Sequence, residues 1–256
     1  MSAFTAFLKK ELLDRQRSGR LTVLGILFVL FGIMDPAIAK LTPWLLEVMA
    51  EELAASGMTV GTVTVTAMDS WVQFYKNIPM ALIVFLCMEA GCFTKEYASG
   101  SLIPLLTKGL PRRTVVLAKS LVLTLIFTAG YWVCYGITWG YNAWLWDNSV
   151  AQNLGFSAVC WWVFGLWTVS LTVLFSSFSS SSTGVLLGTG GTVGAAYVLG
   201  LFPFAKEFVP TLLMDGNSLT YGLQEPADYT AALVVTALLT AVCFAAAIPI
   251  FDRKKL

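Results

Sequence analysis

The stretch Tyr229-Thr-Ala-Ala-Leu-Val-Val-Thr-Ala-Leu-Leu-Thr-Ala-Val-Cys-Phe-Ala-Ala-Ala-Ile-Pro-Ile250 carries no charged residue from end to end. At a rise of 1.5 Å per residue, about 20 such residues cross a hydrocarbon core of roughly 30 Å as a single helix. Five further runs are predominantly apolar, three of them with a single charged residue: Leu21–Ala39, Ile78–Phe93, Val115–Tyr141, Leu154–Phe175 and Val185–Phe204. The fold class expected from them is all-α, a polytopic membrane protein of six spans in one transmembrane domain over residues 1–256. Composition agrees. Hydrophobic residues make up 57% and charged residues 12% of the 256, with mean hydropathy +0.75. A water-soluble domain carries about twice that share of charge and has no place for so much apolar surface.

The first run has a competing reading, because basic residues followed by apolar ones and by Ala37-Ile38-Ala39 resemble a secretory leader. Its length of about 19 residues exceeds the usual 7–15 of a leader's apolar core. The residues before it also have their own pattern. Phe4, Phe7, Leu8 and Leu12 recur at helical spacing with Lys9, Lys10, Asp14 and Arg17 mainly elsewhere on the wheel, as expected of a helix over 1–20 lying in the membrane interface.

Charge informs by position. The 16 basic and 15 acidic residues nearly cancel, leaving +1, which gives no reason to expect a nucleic-acid partner. Lys9, Lys10, Arg15, Arg17 and Arg20 precede the first run. Lys95, Lys108, Arg112 and Arg113 follow the second, and Arg253, Lys254 and Lys255 end the chain. The alternate loops hold only Lys40, Lys76 and Lys206, so both termini are expected in the cytoplasm, with a bacterial plasma membrane as the location. Trp44, Trp71, Trp139, Trp144, Trp146, Trp161 and Trp162 fall near the expected outer boundary, where indoles favour the interface, although Trp162 also suits packing between helices. The same side is acidic, with Glu47, Glu51, Glu52, Asp69 and Asp147 among its carboxylates. Its two longest pieces contain Trp44–Met49 and Phe208–Met214, which suit short interfacial helices.

No catalytic chemistry is legible. Histidine is absent, and there is no G-x-x-x-x-G-K-[ST], H-E-x-x-H or G-x-S-x-G pattern. Cys87, Cys92, Cys134, Cys160 and Cys243 lack zinc-type spacing and read as small buried hydrophobes. The chain is therefore expected to be no enzyme and to hold no metal or cofactor. Gly184 with Gly188, and Gly190 with Gly194, are small-xxx-small pairs suited to close helix packing, in this chain or with a second copy. A charge at the bilayer centre costs roughly 2.5–3.5 kcal/mol on insertion scales, which singles out Asp35, Glu89 and Lys119. Asp35, before Pro36, reads as an interfacial carboxylate at a helix break. Glu89 and Lys119 are expected to pair across the second and third spans.

Residues 94–113 are too polar to span, yet Leu102, Ile103, Leu105, Leu106 and Leu110 are too apolar for a solvated loop and call for a partner surface. The pattern Glu96-x-x-x-Gly100-Ser101-Leu102-x-x-Leu105-Leu106, then Pro111-Arg112-Arg113 and a third span opening on Lys119, resembles the permease subunits of ATP-binding-cassette exporters of the ABC-2 type. Ser101 stands where threonine is commoner. The resemblance covers the architecture of the whole chain. It implies that Glu96–Leu106 forms a coupling helix seated on a separate ATPase subunit, which binds ATP and Mg. It also implies a second permease copy, identical or related, and a path lined by spans one, two and five. Glu96 has two readings, a helix cap or a pair with a basic residue of the ATPase. A secondary transporter or channel and a membrane-embedded enzyme remain as alternatives. The first calls for conspicuous midplane charges or broken helices, of which Asp35-Pro36 is the nearest, and the second for a clustered catalytic constellation. Few charges in the spans favour an apolar or amphipathic cargo, a peptide, an antibiotic or a lipid-like molecule, with peptide export preferred.

Overall fold

The computed structural model describes residues 3–50 and 64–254; Glu51, Glu52 and Lys255 lie outside the described residues. Every regular element among them is helical. In chain order they are α1 (Ala3–Arg17), α2 (Arg20–Val48), α3 (Ala67–Glu89), α4 (Gly91–Ser99), α5 (Ile103–Thr107), α6 (Arg112–Leu145), α7 (Leu154–Phe178), α8 (Ser182–Leu199), α9 (Gly216–Thr220) and α10 (Thr230–Asp252), with short 3-10 turns at Asn148–Val150, Pro210–Met214 and Pro226–Tyr229.

Among the described residues, five segments are long and apolar enough to cross a membrane: Arg20–Val48, Ala67–Ser99, Arg112–Leu145, Leu154–Phe178 and Pro226–Asp252. Over the remaining expected run the chain forms α8, whose 18 residues are diluted by Gly184, Gly188, Gly190, Gly191 and Gly194 and by threonines, and which is not among those five. The helices also outrun the apolar runs at the acidic end of the bundle. α2 continues through Pro36 and Pro43 to Val48, so Trp44–Met49 extends the first span instead of forming a separate piece. α3 opens eleven residues before Ile78, at Ala67, because Thr66 and Asp69 cap it: Thr66 Oγ1 accepts from the Met68 N–H at 3.3 Å and the Asp69 carboxylate from the Thr66 N–H at 2.8 Å.

The proline inside α2 explains one interhelical bond. Pro36 has no N–H, so the Gly32 carbonyl four residues earlier lacks its helical donor. Thr138 on α6 donates its hydroxyl there at 3.1 Å. Asp35 is not at a break; it is buried in the continuous helix and accepts from Asn77 Nδ2 at 2.8 Å.

α7 is the centre of the bundle, packed by α10, α8 and α6. Its Thr168, Ser170, Thr172 and Ser177 hydroxyls donate to carbonyls three or four residues back, so these four polar side chains are satisfied within a buried helix, while the buried Ser176 hydroxyl has no partner among the described residues. An aromatic column joins α3 to α6: Phe85–Phe127 at 5.6 Å, Phe74–Tyr131 at 6.3 Å and Trp71–Tyr135 at 5.2 Å between ring centroids. Gly165 of α7 faces Phe127 so closely that any Cβ there would overlap the ring.

The carboxylates of the acidic end act mainly as helix caps. Asp147, Asp215 and Asp228 accept from the backbone N–H groups of Ser149, Ser218 and Glu225 at 2.9, 3.1 and 3.0 Å. Two tryptophans expected at the lipid interface are instead buried struts. Trp71 donates to Asn148 Oδ1 at 3.0 Å and Trp161 to the Met214 carbonyl at 3.1 Å. Trp44, Trp139 and Trp144 are exposed. Four of the cysteines are buried as expected; Cys87 is exposed.

Candidate functional site: a buried charge cluster

At the basic end the chain concentrates charge where apolar residues would be cheaper. α1 packs on α6 and α2, and the face it buries carries charge beside part of its apolar stripe, of which Phe4 and Leu8 pack against the core. Phe7, Glu11 and Arg15, spaced four apart, are buried, while Leu12 and Leu13 are each 37% exposed. The buried face is set by ion pairs with the ends of the spans.

Glu89, the last residue of α3, is fully buried. Arg15 reaches it with Nε at 3.2 Å and Nη2 at 3.1 Å, both on Oε2. Arg15 Nη1 also meets Glu11 Oε2 at 3.0 Å. Lys119, in the third turn of α6, donates to Glu11 Oε2 at 2.9 Å and to the Cys92 carbonyl at 3.0 Å. It stands 2.9 Å from Glu96 Oε2, off the direction of a hydrogen bond but within ion-pair range. Lys10 closes the cluster, 2.7 Å from Glu96 Oε1, 3.1 Å from Glu11 Oε1 and 3.0 Å from Asp14.

The expected pair between Glu89 and Lys119 is therefore corrected. Both residues belong to one network, but Glu89 is held by Arg15 and Lys119 by Glu11 and Glu96. Two residues of α1, invisible to any comparison of spans with spans, are inserted between them. Their own pattern offered a signal: Lys10 with Asp14 and Glu11 with Arg15 are opposite charges four apart on one helix.

Charge balance explains why the cluster tolerates burial. Lys10, Arg15 and Lys119 face Glu11, Glu89 and Glu96, with Asp14 half exposed at the rim. Burial alone would push the Glu11 carboxyl up, yet the field and hydrogen bond of Lys119, then the fields of Lys10 and Arg15, hold it below 4.5. Burial likewise works against the Lys10 and Arg15 cations. Lys10 is nonetheless raised by its bond to Glu96 and the field of Glu11, and Arg15 chiefly by the field of Glu89. One lone pair stays uncompensated: Glu89 Oε1 has no hydrogen-bond partner among the described residues.

Glu96 sits in the middle of α4, so the helix-capping reading of it fails. α4 ends at Gly100, whose φ of 64° is open to glycine at little cost, and the turn delivers Leu102 to the core, 1% exposed. Ser101 is exposed and accepts from the Ser99 hydroxyl at 3.0 Å. Leu105 and Leu106 are half-buried on α5, and Ile103 is 47% exposed.

A second set of contacts ties α4 to the end of the chain. Tyr97 donates to the Ser176 carbonyl at 3.0 Å and stacks on Phe251, centroids 6.2 Å apart. Lys254 lies 3.7 Å over the Tyr97 ring and donates to the Ser179 carbonyl at 2.7 Å. Arg112, the first residue of the expected basic pair, donates to the carbonyls of Phe251, Asp252 and Lys254 at 3.1, 3.2 and 2.6 Å, closing the C-terminus of α10. Thr94 and Ser182 share a hydroxyl bond of 2.8 Å that joins α4 to the start of α8.

The glycines of α8 divide. Gly188 faces the Phe175 ring of α7 and Gly184 the Ser179 hydroxyl, whereas Gly190 and Gly194 face open space. Among the described residues no group of acidic and cysteine side chains is arranged to hold a metal ion.

A helical bundle of at least five segments long and apolar enough to cross a membrane, with a charged joint at one end, defines a polytopic membrane protein. The family model described as "ABC-2 family transporter protein" matches residues 5–256, and the chain belongs to that family. It is also similar to the "Uncharacterized transmembrane protein YxlG" of Bacillus subtilis (strain 168), 24% identical over 220 residues that cover 82% of this chain and 81% of the relative.

Proposed function

We propose that the chain is the path-forming permease subunit of an ATP-driven exporter, and that α4 and α5 are the lever through which a separate ATPase, holding ATP and Mg, moves the spans. The observation that carries this is the attachment of α4. Glu96 is bound by Lys10 and Lys119, Tyr97 by Ser176, Phe251 and Lys254, and Thr94 by Ser182. A push on α4 is therefore delivered at once to α1, α6, α7, α8 and α10. Glu96 acts inside the chain in this reading, since both its oxygens already face ammonium groups. The surface offered to the ATPase is the tip, with Ser101 and Ile103 exposed and Leu105 and Leu106 partly so.

The rest of the reading follows from the same assembly. α8 is the sixth span, both termini are cytoplasmic, and two permeases, identical or related, enclose a path for a hydrophobic or amphipathic cargo, with a peptide preferred. Open space beside Gly190 and Gly194 is consistent with α8 facing that path or a second copy.

The test is purification of the tagged chain from its own host in mild detergent, with the retained partner identified by its phosphate-loop sequence and by ATP hydrolysis. Ile103→Asp, on an exposed side chain, is expected to leave the chain folded and to release the ATPase. Retention of a fully active ATPase by Ile103→Asp, or recovery of the native chain without any ATPase from membranes that contain one, overturns the reading.

A further inference from the structure

An open groove of about 380 Å³ runs between α2 and α6. Leu21, Gly25 and Val29 form one wall and Leu125, Ala129 and Val133 the other, and no polar side chain lines it. Each wall covers eight helical steps, about 12 Å at 1.5 Å per residue, close to one leaflet of a hydrocarbon core roughly 30 Å thick. The groove is blind toward the middle of the spans. There Gly32 lies directly against the backbone of Cys134 and the side chain of Ile137, and Thr138 bonds the Gly32 carbonyl.

Its other end opens at the basic side. α2 begins at Arg20, one residue before Leu21 and one turn below Leu24. Arg20 and Lys95 both line a polar cavity of about 210 Å³ there. The acids of that cavity, Glu11, Asp14 and Glu96, are paired with Lys10, Arg15 and Lys119, whereas Arg20 and Lys95 make no ion pair with any described residue.

We propose that this groove holds one acyl chain of an anionic glycerophospholipid, with the lipid phosphate against Arg20 and Lys95. The chemistry matches at each level: a wholly apolar slot about one leaflet deep that closes at Gly32, the unpaired Arg20 one turn below Leu24, and the unpaired Lys95 in the polar cavity that Arg20 also lines. A second protein helix is a poorer occupant, because it needs contact along most of the membrane thickness and the groove ends halfway. The proposal stands whether or not α4 couples to an ATPase.

Gly25 permits a clean test, since a Cβ there meets nothing within 4 Å. Gly25→Leu fills the slot from one wall without a clash, and Gly140→Leu, also facing open space but on the outer part of α6, is the control. The purified full-length chain is titrated with dioleoylphosphatidylglycerol or dioleoylphosphatidylcholine, and bound lipid is counted by native mass spectrometry. The native chain and Gly140→Leu are expected to bind phosphatidylglycerol at least about tenfold more tightly than phosphatidylcholine. Gly25→Leu is expected to abolish the tight site, and Arg20→Gln to lower the preference about fivefold, the factor of one basic residue at an anionic surface. Equal binding of the two lipids, or unchanged phosphatidylglycerol binding in Gly25→Leu, overturns the proposal. So does loss of a dimer in Gly25→Leu with lipid retention intact, which assigns the groove to a second copy.

Discussion

Replacing Arg15 by methionine isolates the energetics of the charge cluster. The substitution keeps the length of the buried stem and removes the guanidinium. Glu11 retains Lys119 and Lys10, but Glu89, fully buried, loses the hydrogen bond from Arg15 Nε, the ion pair with Nη2 and with them its nearest cation. Stripping one partner from a buried pair costs about 3–5 kcal/mol, because the charge left behind is uncompensated. The equilibrium between docked and released α1 then shifts by roughly one hundredfold to several thousandfold at about 1.4 kcal/mol per factor of ten. Arg15→Met combined with Glu89→Met removes both charges, and buried pairs exchanged for apolar groups of similar volume are often neutral. Release of α1 lets the helix end at Arg17, whose side chain is already exposed, unwind into the extended form trypsin cleaves, and where opening is fast relative to cleavage the rate follows the open population. Cleavage is expected to rise at least about a hundredfold in the single variant and to return to within a few-fold of native in the double. A double variant cleaved as fast as the single one refutes the idea that the uncompensated Glu89 charge is the source of the cost.

The pH dependence of the same docking has a definite sign. Glu11 is held below its ordinary 4.5 and so contributes stability that is present above 4.5 and is lost as pH falls through its lowered folded value; Lys10 is raised above 10.5 and contributes until pH climbs through its raised one. Tryptic release of α1, normalised at each pH to the rate on an unfolded peptide, is therefore expected to be flat between 4.5 and 10.5, and a step near neutrality contradicts the assignment. Thr138→Val should destabilise by about 1–3 kcal/mol by leaving the Gly32 carbonyl unbonded, and Pro36→Ala, which restores the helical donor, should shrink that loss; thermal unfolding of the four-member cycle in detergent measures it. Arg112→Gln removes a charged donor from three terminal carbonyls and should loosen the end of α10 by about 1.5–3 kcal/mol, read as faster amide hydrogen exchange over residues 248–252 with the other spans unchanged.

The spans were legible because their signal is a sum over about twenty residues, which local exceptions do not erase. Val115–Tyr141 and Leu154–Phe175 each fall within a helix of the structure, and Tyr229–Ile250 falls within the membrane-crossing segment Pro226–Asp252. Errors arose where one residue's partner decides its role. Asp35 before Pro36 suggested a break, but Thr138, a hundred residues away, supplies the missing hydrogen-bond donor and the helix continues. Trp71 and Trp161 carry the interfacial residue type, yet each is buried and its indole N–H finds a partly buried acceptor on a turn. Glu89 and Lys119 were recognisable as costly intramembrane charges, but their nearest neighbours belong to a helix whose apolar residues drew attention away from Glu11 and Arg15. An ion pair is a property of two positions brought together by packing, and no periodicity in either segment encodes it.

The cluster also differs from the aromatic column above it in the kind of motion it permits. Phe127 lodged on Gly165 has one arrangement, since a shift of an ångström turns contact into overlap and close-packed interiors do not deform smoothly. Lys119 is shared between Glu11 and Glu96, and Lys10 among Glu11, Asp14 and Glu96. An ammonium with three donors can pass from one carboxylate to the next with the charges still balanced, so α4 can turn against α1 and α6 without an uncompensated ion at any stage. Under the proposed function, that separates the joint at the basic end from the rigid column it drives: the part that must change partners is built from shared charges, and the part that must transmit displacement is built from interlocked rings.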